Sequence, residues 1–278
     1  NGAIVYDKYR EDLPSQYLNL GISEANMLGM AAGMASRGKI PFAYTIGAFL
    51  AYRAFEFIRN DICLQKQNVK IVGTGAGMVY SALGPTHHST EDLGGLRALP
   101  NLTILSPASP LEVKKATTAA YGQEGPVYLR LGTNKEPEIY QEDYRFEIGK
   151  GVTLREGNDA TLIGTGSILK DILDAAELLE GRGIHTRVIN IHTIKPIDKE
   201  IILQAAEETG RIVTIEDHNV IGGLGSAVAE VVAESGKGVK FKRIGLGGFS
   251  QGYGTYAEVK EYNGIGIGRI CNSILEWF

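Results

Sequence analysis

Residues 160–180 read ATLIGTGSILKDILDAAELLE. Ala160–Ile163 is an apolar run of strand length, Gly164–Ser167 (GTGS) is a glycine turn, and Leu169–Glu180 is amphipathic with helical spacing. A strand passing through a tight turn into a helix is the building unit of a parallel sheet. The same alternation extends in both directions. Strands are expected at Ile40–Tyr44, Val69–Val72, Leu102–Leu105, Val127–Leu131, Thr186–Ile191, Arg211–Ile215 and Val239–Ile244. Helices are expected at Glu24–Ser36, Phe49–Leu64, Pro110–Tyr121, Lys199–Glu208, Leu224–Ala233 and Ile267–Glu276. The order predicts an α/β fold with two three-layer α/β/α domains and mostly parallel sheets. Only Gly132–Gly149 (GTNKEPEIYQEDYRFEIG) breaks the rhythm; it is polar, acidic and without a clean period. It reads as a linker, giving domains at 1–133 and 151–278 with 134–150 between them.

The chain of 278 residues is long enough for two real cores. At 44% hydrophobic and 22% charged it is too apolar for disorder and too charged for a membrane bundle. No run approaches the roughly 18 apolar residues of a membrane span. The net charge of −4, with no cluster of Lys and Arg on one face, argues against nucleic acid. The two cysteines, Cys63 and Cys271, form neither a disulfide framework nor a zinc cluster, so a cytoplasmic location is the default expectation. The opening NGAIVYDKYREDLP lacks the pattern of a secretion signal, and the missing initiator Met hints that something preceded it.

Glycine is abundant, 36 residues, and falls mainly at strand ends and helix starts. The dinucleotide-binding fingerprint is absent: Gly164-x-Gly166-x-x-Leu169 lacks the third glycine, and the next strand ends near Asn190, not in an acid. No Gly-x4-Gly-Lys-Ser/Thr phosphate loop occurs. Most of these glycines serve tight βα turns.

Chemistry concentrates earlier. Leu20–Gly38 is LGISEANMLGMAAGMASRG, where Ser23 can cap and Glu24 opens a helix that is apolar on nearly every face. Such a helix is buried, and Gly29/Gly33 permit close approach of another helix. Glu24 is therefore a candidate buried carboxylate, although a first-turn Glu is more commonly a plain helix stabiliser. In AFLAYRAFEFIRND (48–61), Phe49, Tyr52 and Phe55 recur every third residue, as a core stripe also would. After the strand at 69–72 comes Gly84-Pro85-Thr86-His87-His88-Ser89-Thr90-Glu91-Asp92, two histidines and two acids on a loop where parallel sheets place function. Adjacent histidines diverge and no further ligand is spaced to complete a shell, so no metal site is expected. Proton transfer or hydrogen bonding suits them better.

GISEAN, the aromatic triplet and GPTHH, in this order, resemble the transketolase family of thiamine-diphosphate enzymes. RVINIHTIKPID and TIEDHNVIGGLGSAV continue the resemblance over essentially the whole chain. It is similar to the family's C-terminal half: a pyrimidine domain of the thiamine-diphosphate-binding fold, then the transketolase C-terminal domain. The resemblance implies that Glu24 hydrogen-bonds N1′ of the aminopyrimidine and favours its imino tautomer. Thiamine diphosphate would then transfer a two-carbon ketol unit from a ketose donor to an aldehyde acceptor through a carbanion. It implies that Phe49, Tyr52 and Phe55 wall the pyrimidine ring and that His87 contacts substrate oxygens and assists proton transfer. His88 is implied as a second substrate contact, and Arg130, in PVYLRLG, as the group gripping a substrate phosphate or another bidentate anion.

The family's sugar-phosphate enzymes carry an acid where this chain has Leu83 and a histidine where it has Gly75. A larger or modified sugar, in a roomier and less polar pocket, is the corresponding expectation. The Gly-Asp-Gly motif and downstream Asn that hold the diphosphate and Mg²⁺ occur nowhere in the chain. The resemblance therefore implies a split transketolase, a transferase whose N-terminal subunit carries that motif and joins this chain in a heterotetramer. Two readings compete: the β subunit of a 2-oxoacid dehydrogenase-type decarboxylase, disfavoured by GPTHH, and a non-catalytic assembly scaffold, disfavoured by the retained Glu24, aromatics and His87. His185, His192 and His218 are read as structural, His218 following directly on Glu216-Asp217.

Overall fold

The strand expected at 160–163 runs one residue further, Ala160–Gly164, with every position buried. Behind it the helix forms over Leu169–Glu180 as read and buries Leu169, Ile172, Ala175, Ala176 and Leu179 along one stripe. These elements belong to a computed structural model that describes residues 6–133, 136–140 and 142–278. The start of the N-terminal stretch (1–5) and part of the expected linker (134, 135 and 141) lie outside the described residues.

In chain order the strands are β1 Phe42–Ile46, β2 Lys70–Thr74, β3 Thr103–Leu105, β4 Val127–Leu131, β5 Val152–Arg155, β6 Ala160–Gly164, β7 Thr186–Asn190, β8 Thr193–Lys195, β9 Arg211–Asn219 and β10 Lys240–Leu246. They form two five-stranded sheets, ordered β1-β2-β4-β3-β8 and β10-β9-β6-β7-β5. All pairings are parallel except β3 with β8 and β5 with β7, the antiparallel edges. The expected α/β class with mostly parallel sheets is correct.

Those two edges are the strands that the sequence pattern does not announce. Val152–Arg155 has no fully buried residue, so no apolar run marks it. Thr193–Lys195 is three residues long and follows β7 after Ile191 and His192 only. Thr193–Lys195 crosses into the other sheet, placing Leu105 opposite Thr193 and Ile104 opposite Lys195. The first sheet is thus finished by a strand from the second half. One apolar core accordingly runs from Leu28, Leu50 and Ile71 through Ile194 to Ile202 and Val228.

The helices are α1 Asp7–Asp12, α2 Glu24–Ala35, α3 Gly47–Arg53, α4 Phe55–Phe57, α5 Asp92–Arg97, α6 Pro110–Gly122, α7 Leu169–Glu180, α8 Lys199–Thr209, α9 Leu224–Glu234, α10 Tyr256–Tyr262 and α11 Ile267–Leu275. The single helix expected at 49–64 is not continuous. Ala54, at φ −113° and ψ 19°, interrupts it, and Ile58–Cys63 winds with π-type bonding. α2 buries Glu24, Leu28, Ala31 and Ala32 only. Its other face leaves Met30 and Met34 exposed, next to Ile22 at 88% exposure, and Gly33 looks into open space. The expectation of an all-round buried helix therefore holds on one face within this chain. Ser23 occupies the cap position, but its side chain makes no capping hydrogen bond. Among the described residues no helix is long and apolar enough to cross a membrane.

Candidate active site

Parallel strands deliver their functional side chains at their C-terminal ends, where loops lead into the following helices. β1 ends in α3, β2 ends in the segment leading to Gly84–Asp92, and β1 and β2 are paired neighbours. This adjacency brings α3 beside the histidine loop. The Phe49 and His87 rings meet edge to face with centroids 5.1 Å apart. The Arg53 guanidinium also lies 4.1 Å from the Phe49 ring centroid, and its Nη1 reaches Glu24 Oε2 at 3.3 Å. Glu24, buried at the start of α2, is thereby joined to His87 through the Arg53–Phe49 shoulder.

Tyr52, one helical turn from Phe49, faces the same loop. Its hydroxyl donates to Glu91 Oε2 at 2.9 Å and accepts the Glu91 backbone N–H at 3.1 Å. Phe55 departs from the expected stripe, because it follows the interruption at Ala54. Its half-buried ring packs against the apolar core beside Gly95 of α5. His87 closes a 3₁₀ turn, Pro85–His87, and stays half-buried, with Nδ1 3.0 Å from Thr86 Oγ1.

Two of the side chains expected to contact substrate already have partners within the chain. His88 is buried, with Nδ1 2.7 Å from Ser250 Oγ of the second half. Burial pushes its pKa down. Arg130 is 3% exposed, and its guanidinium is already engaged. Nε donates to Asp92 Oδ2 at 2.9 Å, and Nη2 donates to the carbonyls of Ser89 at 2.9 Å and Asp217 at 3.2 Å. A β-strand guanidinium buried beside a buried carboxylate pairs with it before it can grip a solvated anion.

Asp92 also accepts from the Tyr128 hydroxyl at 2.8 Å. Burial opposes its ionisation, but the Arg130 charge and the hydrogen bonds from Arg130 and Tyr128 overcome that and hold the carboxyl below the usual range. Asp217 takes the Met78 N–H at 3.0 Å and the Tyr256 hydroxyl on one oxygen, and burial raises its pKa. Glu216 caps α9 through the N–H groups of Leu224 at 2.7 Å and Gly225 at 2.9 Å, while burial raises its pKa to about 7. His218 Nδ1 lies 2.7 Å from the Asn219 carbonyl and Nε2 accepts from Gly94 N–H at 3.4 Å, the pattern of a neutral imidazole. Its pKa is lowered, chiefly by burial. The Glu216-Asp217-His218 run is therefore a buried polar seam between the halves, and the structural reading of His218 fits it. His192 stacks on Phe146 at 4.1 Å, and His185 is exposed on a loop.

Sequence reasoning missed Arg53, Asp92 as the partner of Arg130, and Ser250. Each acts through a contact between segments remote in the chain, and no local pattern marks it. It also missed what replaces a side chain at position 75. Gly75 sits at φ +80°, and a Cβ there would lie 2.2 Å from the Tyr80 ring. Tyr80 thus occupies the space, and its hydroxyl lies 3.3 Å from Thr74 Oγ1. The expectation of a roomier pocket fails at this position, whereas Leu83 is exposed. Among the described residues no group of three His, Cys, Asp or Glu could hold a metal ion.

The transketolase pyrimidine-binding domain family matches residues 3–137, and the transketolase C-terminal domain family matches residues 149–270. An apulose-4-phosphate transketolase subunit of Actinobacillus succinogenes is 36% identical, over 95% of this chain and 86% of that protein. The 6-deoxy-6-sulfo-D-fructose transketolase subunit SqwH of Clostridium sp. is 38% identical, over 86% of this chain and 74% of that protein. A solved structure described as a split gene transketolase, inactive beta4 tetramer, superposes with a TM-score of 0.90 at 40% identity, over 98% of this chain and 88% of that one.

Proposed function

The chain belongs to the transketolase family, and from that premise we propose that it is the catalytic C-terminal subunit of a split transketolase, moving a two-carbon ketol unit between a ketose and an aldehyde. The carrying observation is the placement of Glu24. It is a buried carboxylate at a helix start, joined through Arg53 and Phe49 to His87. A carboxylate beside a half-buried aromatic wall fits an aminopyrimidine ring, which needs a proton-sharing partner at N1′ and a dry face. Thiamine diphosphate, when bound, supplies a thiazolium carbon that holds the charge released by C–C cleavage.

In this reading Glu24 holds the proton shared with N1′. Phe49, Tyr52 and Phe55 keep water from that side of the site, Phe55 from beneath. His87 donates to substrate oxygens and moves a proton at the reacting carbonyl. His88 and Arg130 act as positioning residues, one anchoring the loop and the other fixing Asp92 and the Ser89 carbonyl. The division at the 134–150 linker is retained as the domain boundary. The chain offers no Gly-Asp-Gly motif for a diphosphate and its Mg²⁺. That role falls to an N-terminal partner, and the exposed Ile22, Met30 and Met34 beside open Gly33 form an apolar face suited to it. A heterotetramer in the cytoplasm, acting on a sugar or sugar derivative, is the corresponding assembly.

The test is reconstitution. Mixed with a subunit carrying the Gly-Asp-Gly motif, the chain should bind thiamine diphosphate in the presence of Mg²⁺ by calorimetry and transfer ketol units. Absence of binding by the assembled pair overturns the reading.

A further inference from the structure

The segment Gly247–Thr255, GGFSQGYGT, follows β10, yet it ends up against the histidine loop of the first half. Two contacts hold it there. Ser250 is buried, with its Oγ 2.7 Å from His88 Nδ1. The Tyr253 ring covers Gly84, where a Cβ would lie 2.0 Å from Tyr253 Cε1 at a backbone φ of +77°. The loop is tied equally from behind. Gln251 N–H donates to Asn263 Oδ1 at 2.9 Å, and Asn263 Nδ2 donates to the Gln251 carbonyl at 2.8 Å.

With its backbone fixed on both sides, the loop still presents Tyr253 at 72% exposure and Phe249 at 84%. The residue beneath Tyr253 belongs to the same turn as His87, whose N–H donates to the Gly84 carbonyl at 2.9 Å. Leu83, the position that lacks the expected acid, is its immediate neighbour. A hollow of about 480 Å³, lined by Gly252, Tyr253, Glu258, Val259 and Tyr262, gives the phenol room to adjust.

We infer that Tyr253, carried by the second half of the chain, is a specificity-determining residue for the distal end of the sugar, held in place by the Ser250–His88 hydrogen bond. The inference rests on the ketol-transfer reading. The two-carbon unit is small and reacts beside His87. Whatever distinguishes one polyhydroxy aldehyde from another must be met further out, on the Leu83–Gly84 side. An aromatic face with a hydroxyl at its tip suits a carbon chain that is apolar on its C–H side and polar at its hydroxyls. Ser250 is the positioning residue and Tyr253 the contacting one.

The experiment uses the chain assembled with its diphosphate-binding partner, a fixed ketose donor, and glycolaldehyde against erythrose 4-phosphate as acceptors. Tyr253→Ala should shift the ratio of kcat/KM for the four-carbon over the two-carbon aldehyde by about ten-fold, mainly through KM. Tyr253→Phe should shift it less, and Ser250→Ala should shift it in the same direction. Tyr121→Ala, at an exposed position near the end of α6, should keep the ratio. A Tyr253→Ala ratio within two-fold of the parent overturns the inference, even if that variant melts lower, because a purely structural contact changes stability and not acceptor preference. A parent assembly that transfers no ketol unit between any sugar pair instead overturns the functional reading, and this inference with it.

Discussion

Arg53 Nη1 stands 3.3 Å from Glu24 Oε2, so the carboxylate on which the functional reading depends is already paired within the chain. The arginine is half exposed, its side chain 52% accessible against 9% for Glu24, so water screens the pair from the arginine's side. Arg53 therefore holds Glu24 toward Phe49 and is readily displaced. Glu24→Gln, which keeps the shape and removes the acid, should lower turnover of the assembled enzyme by on the order of 10²–10⁴-fold. Its melting temperature should stay close to the parent's. Turnover within ten-fold of the parent would remove Glu24 from the mechanism.

Arg130 and Asp92 provide the opposite case, with side chains 3% and 0% exposed and 2.9 Å apart. Breaking a buried pair by removing one partner costs about 3–5 kcal/mol. Arg130→Met should therefore lower the melting temperature of the chain by several degrees with no substrate or cofactor present. A variant as stable as the parent would return Arg130 to the role of an anion hook.

Glu216 carries a pH signature. Its folded pKa, raised to about 7 by burial, exceeds the ordinary carboxyl value of 4.5. The folded state then binds the proton more tightly than the unfolded chain does. The stability it contributes is present below about pH 4.5 and is lost as pH rises to about 7. The melting temperature of the parent minus that of Glu216→Gln should increase steadily as pH is lowered across that window. A pH-independent difference would mean that the two Glu216–backbone hydrogen bonds just offset its desolvation, and a difference that shrinks as pH is lowered would mean that they outweigh it.

The Gly75–Tyr80 contact predicts that a side chain cannot simply be restored at position 75. Gly75→Ala should destabilise the chain by about 1–3 kcal/mol from the positive φ alone, and further from the clash with the Tyr80 ring. Adding Tyr80→Ala should recover the clash component and leave the φ component, as a thermal-melt comparison of single and double variants would reveal. An unaffected single variant would place the ring elsewhere in solution.

The sequence by itself determined the α/β class and the parallel strands, and singled out Glu24, Phe49 and His87 as candidates. Each is a local property: a strand or helix period, a glycine turn, or a motif within one loop. β5 and β8 escaped because short edge strands carry little apolar pattern, and the break at Ala54 escaped because helix period says nothing about packing. Tertiary structure alone decided the rest. It joined Arg53 to Glu24, buried Arg130 against Asp92, turned His88 toward Ser250 and set Tyr253 over Gly84. Residues 162 positions apart, as His88 and Ser250 are, meet only through the packing of one half on the other. A side chain's task in this protein follows from which partner burial leaves it, and that partner lies beyond the reach of any local pattern.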